Sequence, residues 1–202
     1  MNEIKSELVG LGADLGEVAL DSVLQDGLLK DLPVIGTAVS LCKIGGTIRD
    51  RLFMRDVASF IQNTKGIPAE KTGLFLARID SEPEMKGRLQ ESIVRYVANC
   101  DDHAKIEVLA RLFRALVCRV ISQDTFLRLC FATRTIYSDD LLAIVRPDLP
   151  TDHQAIQNCA HAGLSFYRDI DRTNPLNRGI RTPLWHFTQL GKEYLKAMAT
   201  EA

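Results

Sequence analysis

Residues 103–121, HAKIEVLARLFRALVCRVI, put more apolar side chains on one helix than a surface helix can hide. Ile106, Leu109, Phe113, Leu116 and Val120 recur at spacings of three and four, which makes a helical stripe. Leu112 and Val117 widen the stripe beyond a single face. A helix apolar over so much of its circumference is stable only when other elements surround it. The pattern therefore predicts a central, largely buried helix in a multi-helix fold. A chain of 202 residues, 46% hydrophobic and 25% charged, has the material to surround it.

The flanking segments read as the surrounding helices. Pro33 suits the first turn of a helix running from Val34 to about Ile61. Its second half, TIRDRLFMRDVASFI, is amphipathic, with Ile48, Leu52 and Val57 inward and the arginines outward. Arg49-Asp50-Arg51 reads as a solvated charge cluster there. A break at Asn63–Pro68 leads to two helices, PAEKTGLFLARID and EPEMKGRLQESIVRYVANC, separated near Ser81-Glu82-Pro83. Asp101-Asp102 is expected to cap the central helix and Ser122 the next one, QDTFLRLCFATRTI. Asp139-Asp140, in TIYSDDLLAIVRP, reads as another cap.

From residue 151 the pattern changes. DHQAIQNCAHAGLSFY reads as a helix ending near Gly163. SFYRDI and IRTPLWHF read as two short strands joined by DRTNPLNRG, whose Asn, Pro and Gly are turn formers. FTQLGKEYLKAM closes the chain as a helix with Thr188 as N-cap. The expected fold is mainly α. A Gly-rich helical hairpin (1–63) and a central helical bundle (64–135) precede a C-terminal module with a small β-hairpin (136–202).

The N-terminal hairpin is the unusual part. Ile4, Leu8, Leu11, Leu15 and Val18 make a short stripe, but Gly10, Gly12 and Gly16 each weaken that helix by roughly 1 kcal/mol relative to alanine. The following stretch, DLPVIGTAVSLCKIGG, is apolar and small. Fifteen positions, 34–48, are too few for a spanning helix, which needs about twenty. A central Lys43 costs about 2.5–3.5 kcal/mol, which roughly cancels the apolar contributions. Gly36 and Ser40, then Cys42 and Gly46, stand four apart and let backbones approach closely. Gly36, Ser40, Cys42, Lys43, Gly45 and Gly46 are therefore the candidate surface for a tight internal crossing, for self-association, or for membrane contact. In the last case Lys43 would snorkel or face a lumen.

Chemistry is harder to find. His103, His153, His161 and His186 lack metal-ligand spacing with each other or with cysteine. Cysteines at 42, 100, 118, 130 and 159 form no C-x-x-C pair and read as free thiols, mostly buried, in a reducing compartment. No nucleophile elbow, phosphate-binding loop or dinucleotide fingerprint occurs. Arg181 to His186 matches an R-x4-H nuclease spacing, but Pro183 places it on extended chain rather than a helix. The expectation is a protein without catalytic residues, metal or cofactor. With Asp, Glu and Gly interrupting the first twenty positions, no leader is read, so the expected location is the cytoplasm or the inner face of a membrane. A net charge of −1 excludes a chain coated in positive charge, though not local patches.

Two resemblances add to this. WHFTQLGKEYLKAM, 185–198, with HAGLSFY, 161–167, resembles the wing and closing helix of a winged-helix domain. Pro183 departs from that pattern by interrupting the second wing strand. The resemblance implies either a protein-interaction module or a DNA-binding regulator. For DNA, the basic wing (Arg168, Arg172, Arg178 and Arg181 against Asp169 and Asp171) would follow the backbone, and Gln154, Gln157 and Asn158 would face the bases. The presumed recognition helix, DHQAIQNCAHAG, holds no Lys or Arg, which weakens phosphate attraction. DGLLKDLPVIGTAVSLCKIGGTIRDRLF resembles small bacterial proteins of accessory and phage-defence loci. The leading expectation is an interaction or effector protein that self-associates, holds a protein partner or touches a membrane through its N-terminal hairpin. The alternative is a winged-helix DNA-binding regulator.

Overall fold

A computed structural model describes residues 48–64, 66–150, 153–168 and 185–200, with side chains from residue 52 onward. The N-terminal candidates Gly36, Ser40, Cys42, Lys43, Gly45 and Gly46 lie outside the described residues, as do Arg172, Arg178, Arg181 and Pro183.

The protein is mainly helical. Among the described residues the helices are α1 (Ile48–Thr64), α2 (Ala69–Asp80), α3 (Pro83–Ala98), α4 (Ala104–Val117), α5 (Gln123–Thr135), α6 (Ser138–Ala143), α7 (Gln154–Asn158) and α8 (Gln189–Met198). Two strands, β1 (Ser165–Tyr167) and β2 (Trp185–Phe187), pair antiparallel with Ser165 opposite Phe187 and Tyr167 opposite Trp185. They are the expected strand pair, three residues long each.

The central helix is α4. Between Lys105 and Val117 only Glu107 and Arg111 escape burial, and they pair with each other at 2.7 Å. Helices α1, α2, α5 and α8 pack around α4. Phe113 anchors that packing, with the rings of Phe60 (α1), Phe75 (α2) and Phe126 (α5) set edge-on to it. The buried apolar cluster runs from Val57 to Met198 and takes in residues of the C-terminal part, including Ile156, Leu164 and Tyr194. Leu52, expected to face inward, is exposed on α1.

The central helix ends at Val117, three residues before the apolar stripe does at Val120. Arg119 turns left-handed at φ 60°, Val120 N–H donates to Ala115 C=O at 2.8 Å, and Arg119 N–H donates to Leu116 C=O at 3.1 Å. This pair of bonds satisfies the last carbonyls and stops the helix. The turn is usually made by glycine, so an arginine there leaves no sign in the sequence.

Caps follow expectation at two helices. Ser122 Oγ accepts from Thr125 N–H at 3.1 Å, and Thr188 Oγ1 accepts from Gly191 N–H at 3.0 Å. Asp139 and Asp140 are not caps: they lie in the first turn of α6, and Asp140 accepts from Asn158. The helix expected to reach Gly163 is α-helical only to Asn158. It closes through a tight 3₁₀ turn at Ala160–Ala162 and a left-handed Gly163.

Asp101 and Asp102 divide the work at the start of α4. Asp102 accepts from Ser138 Oγ and from Ala104 N–H, and these bonds hold its carboxyl below the usual range. Asp101 is lowered by its hydrogen bond from Lys105, whose buried ammonium also donates to Arg134 C=O at 3.0 Å. A carboxyl lowered on folding contributes stability that is full above its unfolded pKa and lost as pH falls through the folded value. For Asp102 that loss begins below about pH 4. Asp102→Asn should therefore be less stable than the parent at neutral pH and should lose less on acidification. Thermal melts across that window read the difference, and parallel curves for the two proteins would contradict the assignment.

Candidate functional site

Two ridges of side chains face each other across α3 and α5. On α3, Leu89, Ile93, Tyr96 and Val97 are buried, which leaves Arg88, Ser92 and Arg95 along the adjoining face at i, i+4 and i+7. On α5, Phe126, Leu129, Cys130 and Thr133 are buried, and Leu127, Phe131 and Arg134 repeat the same spacing. Between the ridges runs a groove of about 360 Å³, with Tyr96 and Cys130 in its lining.

A second hollow of about 610 Å³ shares Arg88, Leu127 and Phe131 with the first. It continues to Gly163, Thr188 and Leu190 of the C-terminal part. The two hollows adjoin along Arg88, Leu127 and Phe131 and together make up the channel. That ring is 66% exposed, and the Arg134 guanidinium lies 5.9 Å from its centroid, within cation–π range. Four arginines line the channel, 88, 95, 128 and 134, against Glu91 and Asp124. Glu91 pairs with Arg95, and Asp124 with Arg128 at 3.7 Å. The lining is thus net positive on a chain of net charge −1.

The channel floor is chemically quiet. Burial pushes the Cys130 thiol up to about 12, and Ser92 hydrogen-bonds it. Burial also raises the Tyr96 phenol, whose hydroxyl meets Thr133 Oγ1 at 3.2 Å. Neither group supplies a nucleophile at neutral pH. What the channel can do is bind, through an apolar ring among guanidiniums.

The sequence-derived candidates fall elsewhere. Arg168 is exposed directly after β1. Gln154 and Asn158 do come together, because Gln154 Nε2 donates to Asn158 Oδ1 at 3.0 Å. Asn158 Nδ2 donates in turn to Asp140 at 2.9 Å, so the chain of amides ends on a carboxylate. The channel residues carried a usable sign, the i, i+4, i+7 repeat on each helix. The face-to-face pairing of α3 with α5 had none.

The described free thiols are Cys100, Cys118, Cys130 and Cys159. Cys130 and Cys159 are buried as expected, and burial lifts Cys159 to about 12, whereas Cys100 and Cys118 are partly exposed. Cys42 lies outside the described residues. Among the described residues no helix is long and apolar enough to cross a membrane, and no three metal-ligating side chains converge. Comparison with protein-family models, with curated proteins and with solved structures finds no match to this chain.

Proposed function

We propose that this chain is an interaction or effector protein that holds an acidic segment of a protein partner in the arginine-lined channel. The C-terminal unit, read as winged-helix-like, supplies the far wall. The glycine-rich hairpin around Gly36–Gly46 enters this reading as the element that assembles copies or meets a membrane.

One observation carries the reading: an exposed Phe131 shared by two adjoining hollows whose lining includes Arg88, Arg95, Arg128 and Arg134. Aromatic rings and arginines are the residues that dominate interface energetics. The charge excess selects an acidic occupant. A protein segment is favoured over nucleic acid because the lining sets Leu127, Phe131 and Leu190 among the guanidiniums, which suits an apolar side chain flanked by acids.

The test uses a labelled Asp/Glu-rich helical peptide with one Phe or Leu anchor, followed by fluorescence anisotropy, beside a labelled DNA duplex of the same charge. The peptide should bind, and Phe131→Glu combined with Arg88→Glu should weaken it at least about 30-fold, the loss expected for a hot-spot anchor. Tighter binding of the duplex, unaffected by that double variant, would replace this reading with the DNA-binding one.

A further inference from the structure

The middle of α1 and the start of α4 bring together three side chains that the partner channel does not use. Asp56 and Ser59 stand three residues apart on α1 and so share a face. His103, immediately before α4, reaches both. Its Nδ1 lies 2.9 Å from Asp56 Oδ1, and its Nε2 lies 3.3 Å from Ser59 Oγ. Asp56 is 6% exposed, and Arg55 donates to the same oxygen from Nε at 3.0 Å and Nη2 at 2.9 Å. The carboxylate is therefore held in place.

The order of these contacts sets the chemistry. A carboxylate only accepts, so the Nδ1 facing it carries the hydrogen. In the neutral ring, Nε2 then keeps its lone pair toward the serine hydroxyl. That is the arrangement in which an imidazole can take a proton from a hydroxyl while a third group keeps its tautomer and orientation. Asn63, one turn further along α1, donates from Nδ2 to Ser59 Oγ at 3.3 Å. Its amide is an N–H donor beside the atom that would attack, and so near any oxyanion formed there. Ser59 is half-buried, with exposed His103 and Asn63 on either side, so the hydroxyl can be reached from solvent.

We infer that Ser59, His103 and Asp56 form a nucleophile site for small acyl esters. Ser59 Oγ bonds to the ester carbonyl carbon as His103 Nε2 takes the hydroxyl proton. The carbonyl–alkoxy bond then breaks, and the leaving alkoxide takes that proton from His103. A water molecule, deprotonated by His103, attacks the carbonyl carbon of the Ser59 ester; the acyl–Oγ bond breaks, the carboxylic acid leaves, and His103 returns the proton to Ser59 Oγ. Asp56 is a positioning residue that acts only through His103.

The full chain would be treated with a fluorophosphonate probe, which bonds to activated serine hydroxyls with loss of fluoride, and the adduct located by peptide mass spectrometry. The expected result is an adduct on Ser59 formed at least about 100-fold faster than on the heat-denatured chain, the lower end of a general-base contribution. His103→Gln should remove that advantage. Asp56→Asn should reduce it and move the midpoint of the pH–rate curve, a change that a purely structural clamp between α1 and α4 would not produce. Circular dichroism checks that each variant is folded. Should Asp56→Asn not fold, His103→Gln, whose side chain is exposed, decides alone. Labelling of Ser59 no faster than in the denatured chain, or unchanged in folded His103→Gln, would overturn the inference and leave the three residues as a polar clamp.

Discussion

Alanine at position 191 is expected to cost about 3 kcal/mol, the upper range for forcing extra volume into a packed site. Gly191 lies in the first turn of α8, where a Cβ would fall 2.0 Å from the carbonyl oxygen of Leu164 and 3.1 Å from a Phe187 ring carbon. The oxygen cannot step aside cheaply. Leu164 C=O accepts from Thr188 N–H at 3.0 Å, and Leu164 N–H donates to Cys159 C=O at 3.1 Å. One methyl group thus acts on the α8 cap, the strand pair and the turn after α7 together. For a chain of this size each kcal/mol lowers the melting temperature by about 2–4 °C. Calorimetry showing a loss under 2 °C would mean that α8 does not seat against Leu164 as described.

Phe113→Ala should cost about 3–5 kcal/mol, the range for truncating a buried phenylalanine. Phe113 is 2% exposed, and its centroid lies 5.6 Å from those of Phe60 and Phe75 and 6.3 Å from that of Phe126. Each edge-on pair adds about 0.5–1.5 kcal/mol beyond buried area. Removal leaves three rings from three helices around a void that none can fill alone. Phe113→Leu refills most of it and should cost clearly less. Urea unfolding with an unchanged slope measures both. Equal losses for Ala and Leu would show that volume at this site is not what holds α1, α2 and α5 to α4.

How far each feature could be read in advance follows from the range of the forces behind it. Helix α4 was legible because burial on most of its circumference leaves a repeat within one segment, and the buried residues from Lys105 to Val117 match it. The caps at Ser122 and Thr188 were legible because a hydroxyl meets an amide three residues on. Failures came where the deciding partner was remote. Asp140 looked like a cap by its position, yet Asn158, 18 residues later, claims it. Leu52 fits an inward stripe but is exposed.

The same division runs through the candidate sites. Arg88, Ser92 and Arg95, like Leu127, Phe131 and Arg134, stand at helical repeats, so each ridge was present in the order of residues. Only the packing of α3 on α5 turned two ridges into a channel. Asp56 and His103 are 47 positions apart, and no spacing rule joins them. What this sequence determined by itself, among the described residues, is the run of helices from residue 48 onward, the buried central one, the strand pair and two of the caps, because those rest on periodicity and on bonds within a few residues. What the tertiary structure alone decided is which exposed polar side chains meet. Hydrophobic burial dictates which faces turn inward, and the groups left at the rims of those packed faces become neighbours only once the helices have docked.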